Sequence, residues 1–94
     1  MTTQVHDQPD RGRFEATVDG ELAGFAEYRR ENGVITFTHT QVDDAFEGQG
    51  VGSTLVRGAL DDARAAGLVV RPLCPFVRAY VDRHPEYQDL LATA

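Results

Sequence analysis

The chain has no lysine, and its positive charge rests on nine arginines against 15 acidic residues, for a formal net charge of -6. That shortage argues against general binding to nucleic acid or anionic membranes, which needs clustered positive charge. It also leaves only the N-terminus, a thiol or hydroxyls open to self-acylation. A single cysteine, Cys74, excludes an internal disulfide and fits a reducing cytoplasm. Three histidines and one cysteine lie scattered without metal-ligand spacing, so no metal site is expected. No apolar run approaches a membrane span, and Met1-Thr2-Thr3-Gln4 has no signal-peptide character.

What is present suffices for one domain with a single modest core, in 94 residues of which 41% are hydrophobic. Residues 1–12 are polar, carry Pro9 and Gly12, and are expected to form a flexible lead-in to a domain spanning 13–94. Arg13 to Val18 alternates as a strand does, with Phe14, Ala16 and Val18 on one face. Asp19-Gly20 and Asn32-Gly33 are hairpin turn signals. Between them, Glu21 to Arg30 reads as a strand with Leu22, Ala26 and Tyr28 in one alternating set. Val34 to Val42 is a third strand, rich in β-branched and aromatic residues, with Ile35, Phe37 and His39 assigned to one face.

After residue 50 the period changes. Val51, Leu55, Val56, Ala59, Leu60, Ala63 and Ala66 recur at three- and four-residue steps, the stripe of an amphipathic helix, with Gly67 suited to its cap. Leu68 to Leu73 is apolar enough for a buried strand, and a strand after a crossover helix suggests parallel pairing with the third. Cys74 to Arg83 reads as a short helix with Pro75 at its first position, stopped where His84 precedes Pro85. Pro85 to Leu91 completes the chain with a further turn or two. The fold expected is α+β: an antiparallel meander, a glycine loop, a long helix, a parallel-paired strand and short C-terminal helices.

The glycine loop, Glu47-Gly48-Gln49-Gly50-Val51-Gly52-Ser53, joins strand to helix. Glycines let the backbone turn tightly and present N–H groups to a ligand, and the first N–H groups of a helix lack intrahelical partners. Such a junction can seat a phosphate or serve merely as a turn. It is not a P-loop, which requires lysine. Nor is it a dinucleotide fingerprint, because Ser53 or Leu55 falls at the third glycine and Leu68, Val69 and Val70 stand where an acid is needed.

Three side chains could carry chemistry. Cys74, at a helix cap, sits where the dipole stabilises a thiolate, though a lone cysteine also serves as a small buried hydrophobe. His39 lies near the end of its strand, and an imidazole can take a proton from an ammonium nucleophile or serve as a core residue held by one hydrogen bond. Tyr80, one turn after Phe76, offers a phenol that could protonate a leaving thiolate or simply pack. Asp43, Asp44 and Glu47 precede the loop and oppose phosphate binding, and Arg57 or Arg78 could compensate them.

Glu47-Gly48-Gln49-Gly50-Val51-Gly52 resembles the acyl-coenzyme-A loop of the GNAT acetyltransferases, Gln/Arg-x-x-Gly-x-Gly/Ala, departing at Glu47. With Ile35 to Thr40, Phe46, Cys74-Pro75-Phe76-Val77 and His84-Pro85-Glu86-Tyr87, the chain resembles that superfamily from Phe14 to Leu91. It is most similar to the very small single-domain branch, the YjdJ-like proteins. The resemblance implies that the third strand splays from the strand after the helix and that pantetheine lies in the wedge. Pyrophosphate would rest on Gln49, Gly50, Val51, Gly52 and Ser53, beside Glu47 and Gly48, and the backbone of Thr40, Gln41 and Val42 would pair with the pantetheine. His39 and Cys74 would flank the thioester, with Tyr80 as a third catalytic candidate.

The implied activity is acetyl-coenzyme-A-dependent N-acetylation of an amine acceptor, small molecule or protein, by direct attack or through the Cys74 thiolate. The implied protein is a monomer or weak dimer in the cytoplasm. The early helices that shape the acceptor site of longer relatives precede no part of this sequence, so an open or truncated acceptor pocket is expected. The competing reading is an acetyl-coenzyme A binding module without efficient catalysis.

Overall fold

A computed structural model describes residues 2–92. At both hairpins two successive residues take positive φ: Asp19 and Gly20 at 49° and 87°, Asn32 and Gly33 at 51° and 77°. That geometry matches the twist of the flanking strands, and glycine enters it at no steric cost. The turns connect strands β2 (Arg13–Val18), β3 (Glu21–Glu31) and β4 (Val34–Val42) into the antiparallel meander. Helix α1 (Val51–Ala65) follows and ends in a Schellman cap. There Gly67 takes φ 73° while its N–H bonds Arg64 C=O, and Leu68 N–H bonds Ala63 C=O at 2.9 Å. Strand β5 (Val69–Pro72) then pairs parallel with β4, as a crossover helix allows. Helix α2 (Pro75–Arg83) stops at His84 before the 3₁₀ turn Pro85–Leu90.

The N-terminal segment differs from expectation. Thr3–Gln8 is not a flexible lead-in but an edge strand, antiparallel to β2 from Thr3↔Val18 to Gln8↔Arg13. Numbered in space it opens the sheet, here β1, with strand order β1-β2-β3-β4-β5. Its polar composition hid it, because an edge strand draws stability from main-chain bonds that any residue can make. Only Val5 reaches the core, against Gly58 of α1, where an added Cβ would approach Val5 Cγ1 to 3.0 Å. Asp7 also ties inward, accepting a 2.6 Å hydrogen bond from Tyr28 Oη.

Both helices share one buried cluster with the sheet, including Phe14, Ala16, Val18, Ala26, Ile35 and Phe37 from the strands. Leu55, Val56, Ala59, Leu60 and Ala63 of α1 and Val77 and Val81 of α2 close it. At roughly 1.5–3 kcal/mol for each large apolar side chain removed from water, this face holds the fold. The opposite face carries Arg13, Glu15, Glu27, Arg29, Thr36 and Arg71, which no helix covers among the described residues. There Glu15 is buried between Arg13 and Arg11, at 2.6 and 3.1 Å. Burial raises its carboxyl, but the hydrogen bonds from Arg13 and Arg11 outweigh it, so its pKa lies below the usual range.

Two β-bulges reassign faces that strict alternation predicts. Between Ala16↔Gly24 and Thr17↔Leu22 the residue Ala23 is extra, so Leu22 leaves the face of Ala26 and is 46% exposed. Between Tyr28↔Phe37 and Glu27↔His39 the extra residue is Thr38. His39 therefore does not share the face of Ile35 and Phe37 but turns to the open face, exposed, with its ring 6.0 Å from that of Phe25.

Candidate active site

The site begins where β4 and β5 part. Their pairing runs from Val34↔Val69 to Phe37↔Pro72, and the last rung is Cys74 N–H to Phe37 C=O at 2.9 Å. Pro75 then starts α2 and carries the chain out of the sheet, while β4 continues to Val42 paired with β3 alone. Asp43 N–H bonds Ala23 C=O at 2.8 Å, so along this antiparallel pair Val42 and Thr40 occupy the non-hydrogen-bonded rungs. Their N–H and C=O groups point away from β3, into the fork. An extended chain entering there would find a strand edge ready to pair.

At the mouth of the fork lies the glycine loop. Gly48 and Gly50 take φ 81° and 75°, with nothing within 4 Å of where a Cβ would stand. Gly50 is the N-cap of α1, and no side chain caps that end. The first helical bond is Thr54 N–H to Gly50 C=O at 3.0 Å, so the N–H groups of Val51, Gly52 and Ser53 precede it without intrahelical acceptors. Gly52 permits a close approach, because a Cβ there would sit 2.7 Å from Phe76 Cζ. These residues, with Val42, Phe46 and Glu47, line a cavity of about 270 Å³. Phe76 is 44% exposed and forms its far wall, a role the sequence signalled only by the run Cys74-Pro75-Phe76.

The acidic bend is partly spent on the backbone. Asp43 caps the 3₁₀ turn Asp44–Phe46 by accepting from Ala45 N–H at 2.9 Å. Glu47 alone of the three acids lines the cavity. Neither Arg57 nor Arg78 lines it, and Arg78 lies 3.9 Å from Asp82 on the exposed side of α2.

His39 and Cys74 sit on opposite faces beside the fork. Cys74 is buried on the helix side, and its thiol donates to Thr40 Oγ1 at 3.3 Å. His39 is exposed on the open side, with Nε2 3.4 Å from Gln41 Oε1. Sequence reasoning missed Thr40 as the thiol's partner, since the two are 34 residues apart.

Tyr80 lines a second cavity, of about 170 Å³, that shares Ser53 and Phe76 with the first. Burial pushes its phenol pKa up, opposed by the charge of Arg57, so the proton is held firmly. Its ring stacks on His84, centroids 3.9 Å apart, and His84 Nδ1–H donates to Tyr80 C=O at 2.7 Å. The sequence reading gave His84 no role. Its place four residues after Tyr80 was the available signal.

Among the described residues no group of side chains could hold a metal ion, and no helix is long and apolar enough to cross a membrane.

The solution structure of a GCN5-like protein from Staphylococcus aureus superposes with a TM-score of 0.72 at 25% identity, over 97% of this chain and 89% of that one. Ard1 from Thermoplasma volcanium gives 0.58 at 26% identity, over 67% of this chain and 44% of that one. A ribosomal-protein-alanine N-acetyltransferase from Brucella melitensis biovar Abortus 2308 gives 0.61 at 22% identity, over 87% of this chain and 62% of that one, a likeness of fold. The chain thus spans less than two thirds of the latter two. Among curated proteins no sequence matches. A family model described as GCN5-related N-acetyl-transferase matches residues 13–90. Over that length the chain belongs to the GCN5-related N-acetyltransferases, and it is an acyltransferase of that family.

Proposed function

We propose that the protein transfers an acetyl group from acetyl-coenzyme A to an amine by direct attack. The observation that carries this reading is the junction of the β4–β5 fork with the uncapped, glycine-lined start of α1. Residues 50–53 fit a pyrophosphate, because free N–H groups and the positive end of a 15-residue helix converge where Gly48 and Gly50 leave open space. The free edge of Thr40 and Val42 fits the amide-bearing pantetheine arm. Bound there, acetyl-coenzyme A supplies an activated acyl thioester.

The chain's own groups then divide the work. His39, on the open face, takes the proton from the incoming ammonium. A backbone N–H of the free β4 edge steadies the carbonyl oxygen as negative charge gathers on it. The Tyr80 phenol, protonated through neutral pH, gives its proton to the departing thiolate. Cys74 borders the acyl group from the helix side and acts in packing. The separation of His39 from Cys74 by the sheet favours direct transfer over a thiol relay, which would need a base beside the sulfur.

Thermal unfolding with rising acetyl-coenzyme A tests the cradle. Saturation at ~100 times the dissociation constant adds about 2.7 kcal/mol. Gly50→Glu, which places a strained and negatively charged side chain at φ 75°, abolishes that gain. No stabilisation of the wild type would remove the reading. A second reading, a binder without efficient catalysis, draws on Glu47, an acidic residue in the lining of the anion seat. Turnover lost in His39→Ala decides against it.

A further inference from the structure

A cavity larger than the cradle lies elsewhere among the described residues. It measures about 450 Å³ and lies along β4 and β5 on the open face. Its floor is one rung of the ladder, Arg29↔Thr36↔Arg71, which sets two arginines on either side of a threonine. Two strand spacings put their Cα atoms about 10 Å apart, a distance two long side chains span with ease. Neither arginine joins an ion pair among the described residues, whereas Arg11, Arg13, Arg64 and Arg78 all do. Glu31, at the far end, is the one carboxylate in the lining. In a chain of net charge -6, two uncommitted guanidiniums over one cavity make a local anion trap.

The near end of the same cavity is Thr38 and Leu73, the residues at which β4 and β5 part. His39 follows Thr38 on the same face. The cavity therefore leads from an arginine pair to the proposed base. Its volume suits a metabolite-sized ligand.

We propose that this groove is the acceptor site, and that the acceptor is a small primary amine bearing a carboxylate or phosphomonoester. The proposal rests on the transferase reading above. The anion sits between Arg29 and Arg71 with Thr36 as a further donor, and the amine reaches the fork beside His39. Two to three residues of strand separate those points, which sets nitrogen and anion about 7–10 Å apart. In the reaction His39 takes one proton from the ammonium, the amine nitrogen bonds the acetyl carbon and the carbon–sulfur bond breaks. Tyr80 protonates the departing thiolate, so that coenzyme A leaves as its thiol, and the second nitrogen proton, lost as the amide forms, restores the phenol.

The test compares 6-aminohexanoate with hexylamine, which share the amine and differ in the anion. Hydrogen bonds to a charged group are strong enough for at least about a tenfold preference in kcat/KM for 6-aminohexanoate. Arg29→Gln and Arg71→Gln should each reduce that ratio, and the double variant should bring it to about one. Both side chains are exposed, and stabilisation by acetyl-coenzyme A reports that each variant remains folded. A parallel NMR titration with 6-aminohexanoate alone follows the Arg29 and Arg71 Nε–H signals. Acetylation of both amines at equal efficiency overturns the groove and leaves the transferase reading standing. Saturable shifts at both arginines without acetylation of either amine support the groove as an anion site and overturn the transfer chemistry. Neither preference nor shift overturns the groove.

Discussion

The two halves of β4 make an internal experiment. Val34 to Phe37 pairs with neighbours on both sides and buries Ile35 and Phe37, while Thr38 to Val42 pairs on one side and buries no large apolar side chain. The second half begins at the bulged residue, Thr38. The first half builds the fold and the second exposes the backbone groups and the histidine that the proposed chemistry needs. The proposed function draws on interrupted pairing, because a strand bonded on both edges has nothing left to offer a ligand.

The largest effect expected from breaking that contrast is on rate. His39→Ala should cut turnover by about 10²–10⁴-fold while acetyl-coenzyme A still stabilises the protein, measured in steady-state assays beside thermal unfolding. Undiminished turnover would remove His39 from the mechanism. Stability should respond in the other half. Phe37→Ala should cost about 3–5 kcal/mol in urea unfolding. Thr40→Ala, which removes the acceptor of the thiol hydrogen bond and one half-buried methyl group, should cost less, about 1 kcal/mol.

Deleting Thr38 sharpens the comparison. Without it, Phe37, Thr40 and Val42 keep the helix side and His39 and Gln41 the open side, since the bulge is the only break in their alternation. The deletion should therefore fold with unchanged or higher melting temperature, yet lose part of its stabilisation by acetyl-coenzyme A as β4 straightens towards β5. An undiminished ligand effect would show that the fork does not depend on the bulge. Cys74→Ala should alter turnover little, and a rate loss as deep as that of His39→Ala would restore the covalent route.

The smallest effect concerns two tyrosines on the helix-covered side. Burial, then hydrogen bonds to Asp7 and Asp61, push Tyr28 and Tyr87 from the ordinary 10 up to about 12. The folded state thus favours the neutral phenols. Their contribution is fully present below pH 10 and lost as pH rises through about 12. Tyr87→Phe should flatten the alkaline limb of a plot of melting temperature against pH.

The sequence by itself determined the elements and their order from β2 onward. Asp19-Gly20, Asn32-Gly33, Gly67 and Pro75 fix local backbone angles, and local angles are set by local residues. It also set the glycines beside the helix start, the junction proposed as the anion seat, because they are adjacent in the chain. Tertiary structure alone decided three things. It made a strand of Thr3–Gln8, whose bonds come from β2 and not from its own side chains. It turned His39 and Leu22 to the open face, because a bulge is a mismatch in length between two strands and is written in neither. It brought Cys74 to Thr40, and Arg29 to Arg71 across Thr36, because long-range register follows from the closure of the whole sheet over its core.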